Sequence, residues 1–312
     1  MAAITAALVK ELREATGAGM MDCKKALTAT DGDMDKAVDF LREKGLAGAQ
    51  KKAGRIAAEG IVKTKVSCDG KSAVVVEVNA ETDFVAKNEK FQNYVGEVCD
   101  QALTTGAADI DAFLAEKWTN DASLTVAEKL SSMISIIGEN MHIRRFQQVK
   151  EPNGFIESYI HGNGKIGVLL DVVSDVDNEA LHEMAKNVCM QVAALTPKYT
   201  NRSEVDADYI AKETEILKAQ VANDPSMAGK PEKVIDGIIS GRINKELKEI
   251  VLMDQVYVKA EDGKQTVQQY VDSVAKANNA NVSVKAYVRF ETGEGLEKRS
   301  ENFAEEVAKQ MQ

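Results

Sequence analysis

Length, composition and charge limit the class of protein before any motif is considered. The chain has 312 residues, of which 44% are hydrophobic and 28% are charged, as is usual for a soluble globular protein. This length allows one large domain or two to three smaller ones. The net charge of −10 argues against a nucleic-acid coat or an anionic membrane surface as partner, because both favour an excess of Lys and Arg.

Neither a targeting segment nor a membrane span is indicated. The N-terminal residues include the charged Lys10, Glu11 and Arg13, which a signal peptide would not carry in its apolar core, and no apolar run reaches the 18 residues of a span. The cysteines are widely separated, without a C-x-x-C pair, which fits buried reduced thiols better than disulfides or a zinc site. They are Cys23, Cys68, Cys99 and Cys189. A cytoplasmic protein without a metal or cofactor is therefore expected.

Helical periodicity dominates residues 1–45, where apolar residues recur at helical spacing in three short segments. Thr5 is a suitable cap for the first helix, and Gly45 is expected to end the third. The next ten residues, LAGAQKKAGR at 46–55, are small and basic and lack apolar periodicity. The pattern predicts a three-helix module followed by a linker.

The second of these helices places Met20, Cys23 and Leu27 on one face. Periodicity therefore predicts that Met20 belongs to the core and that Lys24 faces solvent. A functional role for either residue needs support from outside the periodicity.

Residues 60–103 and 154–195 repeat one pattern. A shift of 94 aligns the first parts of the two segments, where alternating residues surround a Gly-containing turn and predict a β-hairpin in each copy. The following helices align with a shift of 90, and Asn88 and Asn178 are natural caps for them. The first copy therefore holds four extra residues between its second strand and its helix, within AETDFVAK at 80–87.

The segments outside the repeat are mostly helical. A helix over residues 126–137 precedes the strand-like MHIRRFQQV. After Pro197, two charged helices predict a hairpin over residues 203–250, whose narrow apolar stripe either packs within itself or meets another subunit. The tail adds the strand NVSVKAYVRFE, a Gly turn and a last helix from about Glu301.

Two glycine-containing motifs have some features of nucleotide-binding loops, but their context is wrong. GNGKIG at 162–167 matches G-x-G-x-x-G, yet IGVLLDVV continues as a strand where a helix should begin, so a hairpin turn is favoured. DGKS at 69–72 would need a glycine where Lys65 stands. An enzyme using GNGKIG with a nucleotide stays one alternative function, and a structural oligomer built on the hairpin at 203–250 stays another.

No group of side chains predicts catalysis. His142, His161 and His182 are not spaced as metal ligands on one helix, and the chain has no G-x-S-x-G elbow or Cys/His nucleophile signature. A surface or hydrogen-bonded histidine is the default interpretation of each. His161 is the best candidate for a partner contact because it lies at a predicted hairpin tip.

The stretch AETDFVAKN at 80–88 allows two interpretations. In the first, Asp83 caps a helical turn, and Phe84, seven residues before Phe91, is buried on the same face, as large aromatic residues usually are. In the second, the four-residue excess displays Asp83 and Phe84 for another molecule, because sites are often mounted at the ends of rigid elements. Periodicity favours the first interpretation, whereas the repeat favours the second.

Five long segments resemble the elongation factor Ts family, the guanine-nucleotide exchange factors of bacterial elongation factor Tu. They are ELREATGAGMMDCKKAL at 11–27, TDFVAKN at 82–88, IGENMHIRR at 137–145, YIHGNGKIGVL at 159–169 and RFETGEGLEK at 289–298. The segments follow the family's order and span nearly the whole chain. The resemblance implies a ubiquitin-associated-like N-terminal module, two related α+β subdomains with antiparallel sheets, an inserted coiled-coil hairpin and a C-terminal helical module.

The residue pattern and the resemblance together predict an α+β fold with five parts. These are the three-helix module at 1–45, the linker at 46–55, core subdomain N at 56–150, core subdomain C at 151–290 with its hairpin at 203–250, and the C-terminal module at 291–312.

The resemblance also implies the role of individual residues. In the family, the TDFV segment enters the GTPase domain of elongation factor Tu and disturbs the region that holds magnesium; here it is Thr82, Asp83, Phe84 and Val85. Further matches to partner contacts are Lys24, Ile137, Gly138 and His161. The implied protein is an exchange factor and not an enzyme, contacts neither nucleic acid nor membrane directly, and forms a homodimer or a heterotetramer with its partner.

Overall fold

A bundle of three helices precedes two three-stranded antiparallel sheets in the part of the chain that the computed structural model describes, residues 4–224 and 230–297. The predicted α+β class is confirmed. The helices are α1 (Ala6–Thr16), α2 (Met20–Ala29), α3 (Met34–Lys52), α4 (Asp83–Ala86), α5 (Glu89–Thr104), α6 (Ile110–Ala115), α7 (Val126–Ile137), α8 (Glu179–Leu195), α9 (Ala207–Ala222), α10 (Glu232–Ile250) and α11 (Val267–Ala277). The strands are β1 (Glu59–Val66), β2 (Ser72–Ala80), β3 (Lys117–Trp118), β4 (Asp121–Thr125), β5 (Met141–Lys150), β6 (Gly154–His161), β7 (Ile166–Ser174) and β8 (Val282–Glu291).

The third helix of the bundle is longer than the sequence predicts. The side chain of Thr5 caps α1 as expected, but α3 continues through Gly45 to Lys52, so the predicted helix end at Gly45 is wrong. Gly45 is buried where α3 packs on α7, with Ser131 and Ser135 nearest to it, and this packing stabilises the continued helix. The predicted linker at 46–55 is therefore helical as far as Lys52.

Two expectations about side-chain burial are also wrong. Met20 is 59% exposed, because the core of the bundle is reached from α2 by Cys23, Ala26 and Leu27 instead. Cys68 is exposed in the turn between β1 and β2, whereas the other three cysteines are buried.

Both predicted hairpins and the helices that follow them are present. β1 pairs with β2 and β6 with β7, each antiparallel. Asn88 accepts a hydrogen bond from the backbone N–H of Lys90, and Asn178 accepts one from that of Leu181, which confirms the two predicted caps. A third strand completes each sheet, in the orders β1-β2-β5 and β6-β7-β8.

The two sheets hold each other through matching contacts. The N–H of Val62 donates to the carbonyl of Gly164 at 2.7 Å, and the N–H of Ile156 donates to that of Gly70 at 2.9 Å. These pairs are equivalent under the shift of 94, so the tip of each hairpin binds the first strand of the other copy, as in an isologous dimer. A shared core lies between the sheets, formed by Val62, Ala73, Val75, Ile156, Leu169, Val288 and Phe290.

A buried carboxylate occupies the same position in each sheet, but its surroundings differ. Glu77 is fully buried and binds Arg144 Nη1 at 3.0 Å, Arg145 Nε at 2.6 Å and the N–H of Gly293 at 2.8 Å. Burial raises the pKa of Glu77, but the hydrogen bonds from Gly293, Asn79 and the two arginines outweigh burial and lower it. This carboxylate is therefore ionised and joins the first sheet to the segment after β8.

Asp171, the equivalent of Glu77, lies beside a second carboxylate. Glu151 and Asp171 are both buried and share one cation, Lys285, whose Nζ is 2.8 Å from Glu151 Oε2 and 3.5 Å from Asp171 Oδ2. Burial and the neighbouring Glu151 raise the pKa of Asp171 to about 6. The two buried carboxylates of the second sheet therefore share one cation, whereas the single buried carboxylate of the first sheet has two.

We expect Asp171→Asn to stabilise the protein at pH 7. The pKa of Asp171 is higher in the folded state than in the unfolded state, so ionisation of this carboxyl favours unfolding. The native protein therefore loses stability as pH rises from about 4 to about 6. Asparagine cannot ionise, so the variant should lose this decline and gain about 1–2 kcal/mol at pH 7. Thermal unfolding across pH 4–8 measures both effects, and a variant less stable than the native chain at pH 7 would contradict the assignment.

The remaining elements agree in part with the sequence analysis. The predicted helical hairpin is present as α9 and α10, which contact each other and bury Val221, Ile239 and Leu247. Helix α11 was not predicted; it packs on α8. The predicted helix from Glu301 lies outside the described residues, and the division into domains stays a prediction.

Candidate functional site

The four-residue excess of the first copy forms α4, a single helical turn. Thr82, and not Asp83, caps it, since Thr82 Oγ1 accepts a hydrogen bond from the N–H of Val85 at 3.4 Å. Val85 is buried, but Phe84 is 80% exposed while Phe91 is fully buried. The interpretation that buries Phe84 against the helix is therefore wrong, and α4 presents a phenyl ring to solvent.

Two charged side chains stand beside this ring. Lys87 Nζ lies 2.6 Å from Asp83 Oδ2 and 6.0 Å from the centre of the Phe84 ring. The hydrogen bond from Lys87 lowers the pKa of Asp83, which keeps this carboxylate ionised. Because the pair of Lys87 and Asp83 is solvent-exposed, it adds little to the stability of the fold. Both side chains are therefore accessible to a partner.

The turn after α7 lies directly against α4. Ile137 is the last residue of α7 and is partly buried, and the exposed Gly138 ends the helix with φ +92°. The next residue, Glu139, accepts hydrogen bonds from the N–H of Thr82 at 3.0 Å and from its hydroxyl at 2.7 Å. The structure thus brings the predicted contacts Ile137 and Gly138 together with the TDFV segment.

His161 lies at the tip of the hairpin between β6 and β7, as predicted. It is exposed, and its Nδ1 is 3.0 Å from the hydroxyl of Tyr159. The tip and α4 line one open groove of about 980 Å³, to which residues 162–165 contribute on one side and 81–84 on the other. The apolar part of its lining includes Ile56, Ile61, Phe84 and Ile160.

Lys24 belongs to a separate surface. It is exposed on α2 as predicted, beside Met21, which is 62% exposed, and Met20, but it does not line the groove. The exposed methionines were missed because periodicity alone cannot show which face of a short helix meets the bundle.

Comparison with known proteins identifies the family. A family model described as Elongation factor TS matches residues 81–294, from the segment before α4 to the turn after β8. The chain belongs to the elongation factor Ts family. Relatives named elongation factor Ts are 52% identical over 311 residues in Clostridioides difficile (strain 630), covering 100% of both chains, and 52% identical over 309 residues in Clostridium tetani (strain Massachusetts / E88), covering 99% of this chain and 100% of the relative. Another, from Clostridium botulinum (strain Eklund 17B / Type B), is 51% identical over 308 residues, covering 99% of each chain.

The segment GNGKIG forms a hairpin turn in this member of the elongation factor Ts family. Gly162, Asn163 and Gly164 have φ of 58°, 54° and 95°, the left-handed region that glycine and asparagine tolerate best. A strand, β7, follows the turn, so the predicted hairpin is confirmed. Its geometry offers no helix N-terminus to a phosphate group.

The other polar clusters are hydrogen-bonded within the protein. His182 lies 2.8 Å from Glu157 Oε2 and 2.9 Å from Asp177 Oδ1, and His142 Nε2 lies 3.0 Å from Asn140 Nδ2. Over residues 4–224 and 230–297, no group of three or more His, Cys, Asp or Glu side chains is arranged to hold a metal ion. Within the same ranges, every helix is too short or too polar to cross a membrane.

Proposed function

We propose that the chain is the guanine-nucleotide exchange factor for elongation factor Tu in the cytoplasm. It binds elongation factor Tu–GDP, disturbs the magnesium and nucleotide site, and promotes GDP release so that GTP can bind. The observation that carries this proposal is Phe84, 80% exposed on a turn that has no counterpart in the second copy. The shared name of the relatives, elongation factor Ts, supports the choice of partner.

An exchange factor transfers no atoms and needs only to bind the nucleotide-free partner better than the nucleotide-bound one. Linkage makes this antagonism mutual, since the factor weakens nucleotide binding as much as nucleotide weakens binding of the factor. A thousandfold weakening of nucleotide binding corresponds to about 4 kcal/mol of binding free energy. Burying one Phe supplies roughly 1.5–3 kcal/mol, so Phe84 supplies a large part and other contacts supply the rest.

The roles of Asp83 and Phe84 are to displace the groups around the partner's magnesium ion. A Mg²⁺ ion bound with nucleotide bridges phosphate oxygens and neutralises their charge, so loosening its surroundings weakens GDP as well. Asp83 is already paired with Lys87, which argues against its acting as a new ligand. Thr82 and Val85 hold the turn that carries both residues.

The other contacts are distributed around α4. Ile137 and Gly138 directly precede Glu139, which binds Thr82, and His161 lies at the hairpin tip that borders the same groove. We propose that these residues extend the interface with the GTPase and that Lys24 adds a second contact from the N-terminal bundle. Oligomerisation as a homodimer, or as a heterotetramer with the partner, stays part of the prediction.

The proposal is tested by measuring the affinity of this chain for elongation factor Tu without nucleotide and with GDP bound. We expect tighter binding to the nucleotide-free form, and equal affinity for both forms would overturn the proposal. Direct nucleotide binding by the isolated chain would favour an enzyme instead. Self-association through α9 and α10 without any binding of the GTPase would favour a structural oligomer.

A further inference from the structure

Two segments far apart in the chain exchange carboxylate hydrogen bonds beside α4. Glu139, in the turn after α7, accepts both the N–H and the hydroxyl of Thr82. In return, Glu81 accepts the N–H of Asn140 at 2.6 Å. Each segment therefore satisfies backbone or side-chain donors of the other, and we call these four residues the carboxylate brace.

Further hydrogen bonds hold the brace in place from the protein interior. Asn140 is buried, and its side-chain amide donates to the carbonyl of Arg55 at 2.8 Å and lies 3.0 Å from a ring nitrogen of His142. Glu81 is also held by Arg55 Nη1 at 3.4 Å. The turn that carries Glu139 therefore cannot shift without breaking several hydrogen bonds at once.

Helix α4 depends on such support from outside. It has only four residues, and a single turn is unstable on its own because helix nucleation is unfavourable. Val85 and Ala86 bury the inner face of α4, but this contact does not fix the direction of the N-terminal end, where Asp83 and Phe84 project. Within residues 4–224 and 230–297, Thr82 joins that end to the turn after α7 through its two hydrogen bonds to Glu139.

We propose that Glu139 is a positioning residue for nucleotide exchange, acting through Thr82 to hold α4 and the exposed Phe84 in the orientation that the partner meets. This inference rests on the proposed function. It differs from a contact role for Glu139, in which the negative charge itself would meet the partner.

The substitution Glu139→Gln separates the two roles. Glutamine can accept the N–H of Thr82 with its carbonyl and donate its amide to the Thr82 hydroxyl oxygen, so it preserves both connections and removes only the charge. Alanine removes both connections. A positioning role therefore predicts that glutamine rescues what alanine loses.

The first measurement is hydrogen–deuterium exchange on the free full-length protein. In Glu139→Ala we expect the amides of Val85, Ala86 and Lys87 to exchange about tenfold faster, the factor that corresponds to losing about 1.4 kcal/mol. Glu139→Gln should remain close to the native rate. Glu43→Gln, an exposed glutamate on α3, is the matched control and should be unchanged.

The second measurement is release of fluorescent GDP from elongation factor Tu at saturating concentrations of each variant. We expect release to be about tenfold slower with Glu139→Ala and native-like with Glu139→Gln and Glu43→Gln. Adding Thr82→Val to Glu139→Ala should slow release further only through loss of the α4 cap, because Thr82 Oγ1 also accepts the N–H of Val85.

Two results would overturn the inference. One is a native release rate with Glu139→Ala, and the other is an equal loss with glutamine and alanine, which would assign the effect to charge. If Glu139→Ala does not fold, Thr82→Val replaces it, and a native release rate with that variant would also overturn the inference. Failure of the proposed function can be told apart from failure of this inference. In the first case the native chain itself would leave GDP release unchanged, and the amide-exchange measurement would still test the brace.

Discussion

Phe84→Ala is expected to slow GDP release from elongation factor Tu by about ten- to hundredfold, corresponding to loss of roughly 1.5–3 kcal/mol of burial in the complex. Because the ring is 80% exposed in the free protein, its removal should change the free energy of unfolding by only about 0.5 kcal/mol or less. Stopped-flow release of fluorescent GDP and urea unfolding measure the two quantities.

Phe91→Ala is the matched control, since it removes the same ring from a fully buried position. It should cost about 3–5 kcal/mol of stability. If Phe84→Ala unfolded like Phe91→Ala, or promoted GDP release at the native rate, the role assigned to α4 would be wrong.

Glu77→Ala should produce the largest loss of stability among the polar substitutions considered. It leaves Arg144 and Arg145 without the carboxylate that they share and leaves the N–H of Gly293 without its acceptor. Breaking a buried ion pair by removing one partner typically costs about 3–5 kcal/mol. Urea unfolding at pH 7 measures the cost.

The equivalent position in the second sheet is the control, because Asp171→Asn is expected to have the opposite sign at pH 7. The pH trends should also be opposite. The lowered pKa of Glu77 means that its contribution is present at neutral pH and is lost as pH falls through the folded-state pKa. Equal destabilisation by both substitutions would contradict the difference between the two buried carboxylates.

Local and repeated features of the fold could be predicted from the sequence. Asn88 and Asn178 cap their helices because capping depends on residues three positions apart or fewer. The alignment of the two copies changes from a shift of 94 to one of 90, and this change predicted the position of the extra segment that forms α4. The Gly-containing turns between β1 and β2 and between β6 and β7 likewise depend on a few neighbouring residues.

Features that depend on distant residues could not be predicted. Gly45 has the residue type of a helix end, but α3 continues past it because the helix packs on α7. The exposure of Phe84 depends on how α4 is anchored, and the bond from Thr82 to Glu139 spans 57 positions in the chain. The pattern of one sequence contains no signal for such pairs.

The most direct test of the exchange function is the rate of release of fluorescent GDP from its complex with elongation factor Tu, with magnesium in excess, in the presence and absence of this chain. We expect saturating native chain to accelerate release by orders of magnitude and Phe84→Ala to lose most of that acceleration. Release at the intrinsic rate of elongation factor Tu in the presence of the native, folded chain would contradict the account.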